Sequence, residues 1–168
     1  MRMKGKPRER EIPEDLFIAT KEKGENTYKQ TNAVHCPYFK EKIGFNAAGL
    51  EHIKFKDTNQ RPRNKFDQYI RFKLFHLVPE ILSKSGTVQG VWETQEWERQ
   101  KRHGKWQKIL VHVVYYEFVA VVGKARIKIV VKKTGLEGSK LFWSIIPFWK
   151  MIENGTGKIF HEGNPAED

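Results

Sequence analysis

The chain has 168 residues, enough for one domain with a substantial core, and its 31 Lys and Arg against 20 Asp and Glu leave a net charge of +11. That excess favours polyanionic partners, nucleic acid ahead of an anionic membrane surface. Cys36 is the only cysteine and the six histidines show no HExxH-type spacing, which excludes a disulfide framework, a thiolate zinc cluster and a recognisable metal motif.

In chain order, residues 1–15 read as a basic flexible lead, five of the first ten being Lys or Arg, with no apolar stretch behind them to form a secretory leader. No window is apolar for long enough to span a bilayer, so the expected setting is cytoplasmic, away from membranes. Leu16–Thr20 and Thr27–Thr31, separated by KEKGEN, read as a small hairpin. Cys36, beside Pro37, Tyr38 and Phe39, reads as buried rather than reactive. Lys42–Phe45 reads as a short strand, and Asn46 as the cap of a helical turn, AAGLEH, which Gly49 keeps brief. His52-Ile-Lys-Phe-Lys56 alternates strictly. If extended, it sets His52, Lys54 and Lys56 on one polar edge, and the simplest reading of that edge is a solvated strand face.

Asn64, with Asp67 three positions on, starts the strongest helix, whose stripe of Phe66, Ile70, Leu74, Leu77, Val78 and Ile81 can cover a sheet. Pro79 predicts a kink or a fresh start. Arg71 lies off that stripe and reads as a surface charge, within reach of a phosphate at the sheet edge. Thr87–Trp92 reads as another strand, followed by a polar connection that is an exposed strand or a hairpin tip. Trp97 and Trp106, beside Arg99, Lys101, Arg102 and His103, suit base stacking and phosphate neutralisation. The competing expectation is that they anchor the loop to the core.

Residues 109–149 read as three antiparallel strands broken at Gly123-Lys124 and at Gly135–Ser139. A two-residue turn pairs Val122 with Ala125. That register places Val114, Tyr116, Phe118 and Ala120 with Ile127, Ile129 and Val131 on one apolar face. The other face receives Tyr115, Glu117, Val119 and Val121 with Arg126, Lys128, Val130 and Lys132, a stiff platform bearing three cations. In the last strand the alternation groups Trp143 with Ile145, and Phe142 with Ser144 and Ile146, in a register that one bulge would invert. Residues 16–150 are thus expected to form a single domain in which helices cover the apolar face of the strands, and residues 151–168 a disordered polar tail.

Scattered carboxylates argue against a two-metal nuclease, and neither metal nor cofactor is expected. The His, Lys, Arg, Tyr and Ser residues suit metal-free RNA cleavage, in which a base takes the 2′-OH proton, an acid protonates the leaving 5′-oxygen and cations stabilise the phosphorane.

A His at the end of a short helix or strand (GLEHIKFK) precedes a helix with a late Pro (NKFDQYIRFKLFHLVPEIL). A YYEFVAVV–RIKIVVKK–LFWSIIPFW meander with a Ser in its last strand follows. This order resembles the barnase–EndoU–colicin–RelE-like nuclease superfamily in its phage and mobile-element form, over about residues 40–149. The resemblance implies an α+β fold with helices packed on one face of a four- to five-stranded antiparallel sheet, and a metal-independent endoribonuclease of toxin or effector type, acting on RNA ahead of DNA, with an acidic antitoxin or immunity protein as partner. It carries the early His onto His52 with Lys54 beside it, the helix cation onto Arg71 (Arg126 second) and the last-strand hydroxyl onto Ser144. Lys128 and Tyr115 join from the strand register. The rival expectations are a non-catalytic nucleic-acid-binding module on the same basic face with Trp97, Arg102 and Trp106, and a protein-interaction adaptor of a mobile element.

Overall fold

The computed structural model describes residues 11–56, 60–123 and 125–148. The expected tail at 151–168 and the first ten residues of the basic lead lie outside this range. The lead is also shorter than expected, because Glu14 and Asp15 already form the first turn of a helix, α1 (Glu14–Gln30), where their charge complements the dipole.

That helix overturns the hairpin expected over the same residues. Leu16 and Ile18, which suggested a strand, point outward, while Phe17, Lys21, Gly24 and Tyr28 recur at helical spacing on the inward side. Gly24 marks a close approach of two helices rather than a turn: a Cβ there would lie 2.6 Å from Cδ1 of Phe72. A short pair, β1 (Val34–Cys36) and β2 (Glu41–Ile43), follows. Cys36 is buried as expected, and its thiol donates to the Ser85 carbonyl at 3.6 Å.

Helix α2 (Ala47–Lys54) is capped by Asn46, whose Oδ1 accepts from the Gly49 amide at 3.1 Å. It runs to Lys54, two residues beyond the expected turn, and holds Gly49 inside it because the missing side chain admits the Phe142 carbonyl oxygen to within 2.6 Å of where a Cβ would sit. The alternating His52–Lys56 segment is therefore not a strand. Its first three residues are the last turn of α2, and only Phe55–Lys56 (β3) is extended, paired with β4 (Arg61–Pro62). Five alternating residues fit both periods, and the Asn46 cap with Leu50 and Ile53 buried three apart decided for the helix. On a helix, positions two apart diverge by about 200°, so His52 and Lys54 do not share an edge.

Asn64 caps α3 (Lys65–Leu74), its Oδ1 accepting from the Asp67 amide at 2.7 Å. A 3₁₀ turn at Phe75–Leu77 leads into α4 (Val78–Lys84), which starts afresh with Pro79 in its first turn. The tighter turn shifts the helical phase. The deepest residues are Ile70, Phe72, Phe75, Val78 and Leu82, with the expected Leu74, Leu77 and Ile81 half-buried beside them.

The main sheet is an antiparallel meander in the order β5 (Gly90–Arg102), β6 (Lys105–Val122), β7 (Ala125–Thr134), β8 (Lys140–Phe148). With helices packed on it, the fold is α+β, as expected. Val122 pairs with Ala125 around Gly123, which has φ +60°. His103 and Gly104, both at positive φ, close β5 on β6. Phe118, Ile127, Ile129, Val131, Phe142 and Ile145 form the sheet side of the core against Tyr28, Leu50, Ile53 and the α3–α4 residues. The alternation expected in β8 does not hold. A register shift between Val130 and Val131 pairs Val130 with Ser144 and Val131 with Phe142, so Trp143 is the extra residue. Phe142 and Ile145 then share the core face.

The opposite face is not an open cationic platform. Val113, Tyr115, Val130 and Ile146 are buried there. Lys128 is ion-paired with Glu117 at 3.0 Å, and Lys132 with Glu96 at 2.8 Å.

Candidate functional site

Side chains from α2, the 61–67 segment, α3 and β8 meet at the outer edge of the sheet. Arg63 is held by its backbone amide, which donates to the Lys54 carbonyl at 2.9 Å, so its side chain turns under the end of α2. There Nε donates to the His52 carbonyl at 2.9 Å, and Nη2 lies 3.4 Å from His52 Nδ1, a contact that makes this nitrogen the acceptor. The Asn64 cap begins α3 at the next residue, so Arg63 stands just ahead of the helix, four residues before Asp67, which lies one helical turn before Arg71. Asp67 bridges them, Oδ2 lying 3.4 Å from Arg63 Nη1 and Oδ1 accepting from Arg71 Nε at 2.7 Å. Arg71 Nη1 then donates to Ser144 Oγ at 2.8 Å, on the residue beside the β8 bulge.

The result is one connected chain, His52–Arg63–Asp67–Arg71–Ser144. All but Asp67 are almost wholly enclosed: His52 is 5% exposed and Arg71 0%. The surface charge expected at Arg71 is thus a buried one. A guanidinium in such a place requires fixed polar partners, and Asp67 and Ser144 supply them. The arrangement is rich in donors and in positive charge, and such a cluster is suited to a phosphate or to the charge that builds up on a phosphorane.

Trp143 closes the site on one side. The His52 and Trp143 rings lie 4.2 Å apart at 32°, and Lys132 Nζ sits 4.4 Å from the Trp143 ring centre. Lys132 pairs with Glu96, which also accepts from the Tyr115 hydroxyl. Burial, reinforced by Glu96, raises the Tyr115 phenol well above its ordinary range.

Of the residues expected in a catalytic centre, His52, Arg71 and Ser144 come together and Lys54 does not. Lys54 is bound to Glu51 at 2.7 Å and faces Glu25 at 3.7 Å. Tyr115, Lys128 and Lys132 lie on the sheet face away from the helices, in the pairs already described, and Arg126 is exposed at the start of β7. Arg63, Asp67 and Trp143 were missed by the sequence reading. The four-residue spacing of Arg63, Asp67 and Arg71 was the available signal for two of them. A groove of ≈ 320 Å³ between α4 and the end of β6, lined by Leu77, Ile81, Ala120 and Val121 among others, contains none of these residues.

A second feature stands apart from the edge. Strand β7 covers β6 only from Val113 onward, so residues 95–112 of β5 and β6 continue as a two-stranded ribbon. The pairs Trp97–Leu110, Arg99–Lys108 and Lys101–Trp106 share one side of it, and all six residues are exposed. Trp97 and Trp106 are 67% and 64% exposed, which overturns the expectation that they anchor a loop to the core. Arg102 is exposed at the ribbon's tip, opposite Lys105.

Among the described residues, no group of three or more His, Cys, Asp or Glu is placed to hold a metal ion, and no helix is long and apolar enough to cross a membrane. Comparison with known family models, with curated proteins and with solved structures found no match to this chain.

Proposed function

We propose that the protein is a metal-independent endoribonuclease whose centre is the His52–Arg63–Asp67–Arg71–Ser144 cluster. One observation carries this reading: an imidazole, two guanidiniums and a hydroxyl, drawn from distant stretches of sequence, join in a single network at the sheet edge. As the 2′-oxygen attacks phosphorus it loses its proton and the leaving 5′-oxygen gains one, giving a 2′,3′-cyclic phosphate and a 5′-hydroxyl. His52 is the base or the acid of that exchange once its Nδ1 is released from Arg63. Arg71 and Arg63 stabilise the charge on the non-bridging oxygens, Ser144 positions the phosphate or the 2′-OH, and Asp67 holds both guanidiniums in place. The proposed substrate is RNA in a cytoplasmic setting, and an acidic antitoxin or immunity protein fits the basic surface as a partner.

A second reading, a non-catalytic nucleic-acid-binding module, is favoured by a different observation. The catalytic candidates are enclosed, whereas the Trp97–Trp106 side of the ribbon is fully presented with its cations. The test is incubation of RNA with the wild type and with His52→Ala in EDTA, followed by analysis of the 3′ ends. Cleavage by the wild type alone, leaving cyclic phosphates, with 2′-deoxy substrate untouched, supports the nuclease. Equal, salt-sensitive RNA binding by both proteins without cleavage, lost in Trp97→Ala/Trp106→Ala, supports the binding module.

A further inference from the structure

We infer that two copies of this chain associate through the outer edges of β5, continuing the sheet antiparallel across a two-fold axis at Trp97. The inference rests on neither functional reading.

The two edges of the sheet differ. The β8 edge is guarded: it carries the Trp143 bulge and Pro147, and Gly44 clamps it by donating to the Lys140 carbonyl at 2.9 Å and accepting from the Phe142 amide at 2.8 Å. Bulges, proline and covering segments are the devices that prevent a strand from recruiting another. Among the described residues, strand β5 has none of them. Its thirteen residues pair with β6 in an unbroken register, and among the described residues no backbone hydrogen bond reaches it from any other element. Val91, Trp92 and Trp97 are exposed along it.

What β5 does carry is charge, and the signs are segregated. Glu93, Glu96 and Glu98 come first, and Arg99, Lys101 and Arg102 last. Parallel pairing of two copies sets like against like, whereas antiparallel pairing brings the acidic half of each onto the basic half of the other. A two-fold axis normal to the sheet keeps every residue on the same face in both copies, so only registers pairing positions of equal parity are allowed. Centred on Trp97, the register sets Glu93 opposite Lys101, Gln95 opposite Arg99 and Trp92 opposite Arg102, with Trp97 against its own copy. Its unfavourable pair is Glu96 opposite Glu98, and Glu96 is already neutralised by Lys132.

Sedimentation equilibrium of RNA-free protein at about 0.15 M salt tests the inference. A reversible monomer–dimer equilibrium is expected. Glu93→Lys or Lys101→Glu alone should weaken it about tenfold, since each change turns two symmetry-related attractions into repulsions. The double variant Glu93→Lys/Lys101→Glu should recover the wild-type constant to within about threefold, because opposite signs face each other again. Trp97→Cys should form an intermolecular disulfide on mild oxidation, the paired Cα atoms of such a register being about 5 Å apart. A monomer at every concentration, single reversals without effect, no recovery in the double variant or no cross-link each overturns the inference. These positions are exposed, and unchanged circular dichroism confirms that the variants are folded.

Discussion

Arg71 shows how one buried charge ties stability to the candidate chemistry. Its guanidinium is enclosed and bonded to Asp67 and Ser144. Truncation to Ala leaves a partly buried carboxylate facing a cavity, and breaking a buried pair in this way costs about 3–5 kcal/mol. Arg71→Ala should therefore lower the urea midpoint strongly at pH 7. Ser144→Ala, which removes one neutral acceptor, should cost about 1–2 kcal/mol. Equal effects of the two variants would mean that the Asp67–Arg71 pair does not hold the edge together. Ser144→Ala, as the milder change, is also the variant in which a loss of RNA cleavage can be read without a loss of fold. The candidate site was half legible in the sequence: His52, Arg71 and Ser144 were singled out by the resemblance in the order of elements, among residue types suited to phosphate chemistry. That Arg71 is buried could not be read from a helical stripe drawn through apolar residues alone, because it lies inside the stripe only once Asp67 neutralises it. Trp143 was unreadable for another reason, since a bulge leaves no mark in an alternating apolar strand.

At the scale of elements, glycine decided where the reading failed. Both Gly24 and Gly49 look like breaks, and both lie inside helices because another part of the chain occupies the space of the absent side chain. Such contacts are tertiary and cannot be seen in a local window. Gly24→Ala should raise intrinsic helix propensity yet destabilise the protein by about 1–3 kcal/mol, because the methyl group would overlap Phe72, the hallmark of overpacking. Thermal melts check it, and a stabilised variant would show that α1 and α3 can separate without cost. The ribbon predicts the opposite behaviour. Trp97→Ala and Trp106→Ala remove large but exposed side chains and should shift stability by no more than about 0.5 kcal/mol. A marked loss of affinity for single-stranded RNA without loss of stability would identify the ribbon as a binding surface. The meander itself was legible, because Gly123 and the β-branched runs of β6 and β7 are local signals that agree with the tertiary answer.

For the molecule as a whole, two phenols tie folding to alkaline pH. Tyr28 is buried at the centre of the helical layer, its hydroxyl donating to the Asn46 carbonyl at 2.7 Å, and Tyr115 is buried on the other side of the sheet, donating to Glu96. Burial holds both far above the ordinary phenol value, with the Glu96 charge adding to the effect at Tyr115. In the unfolded chain both ionise near pH 10, while in the folded protein they keep their protons. Above about pH 10 the folded state thus binds more protons than the unfolded one, and stability must fall as pH rises. Each phenol contributes a slope of about 1.4 kcal/mol per pH unit until its own folded value is reached. Below pH 10 neither contributes a pH dependence. Tyr115→Phe separates this effect from simple loss of a contact. At pH 8 the variant should be less stable than wild type by about 1–2 kcal/mol, because Glu96 loses a donor. By pH 11 the gap should close or reverse, since phenylalanine has no proton to lose on unfolding. Urea midpoints at pH 8, 9.5 and 11 read the crossing directly. Parallel curves for the two proteins would show that Tyr115 ionises as readily in the fold as out of it, and hence that this side of the sheet is open to solvent.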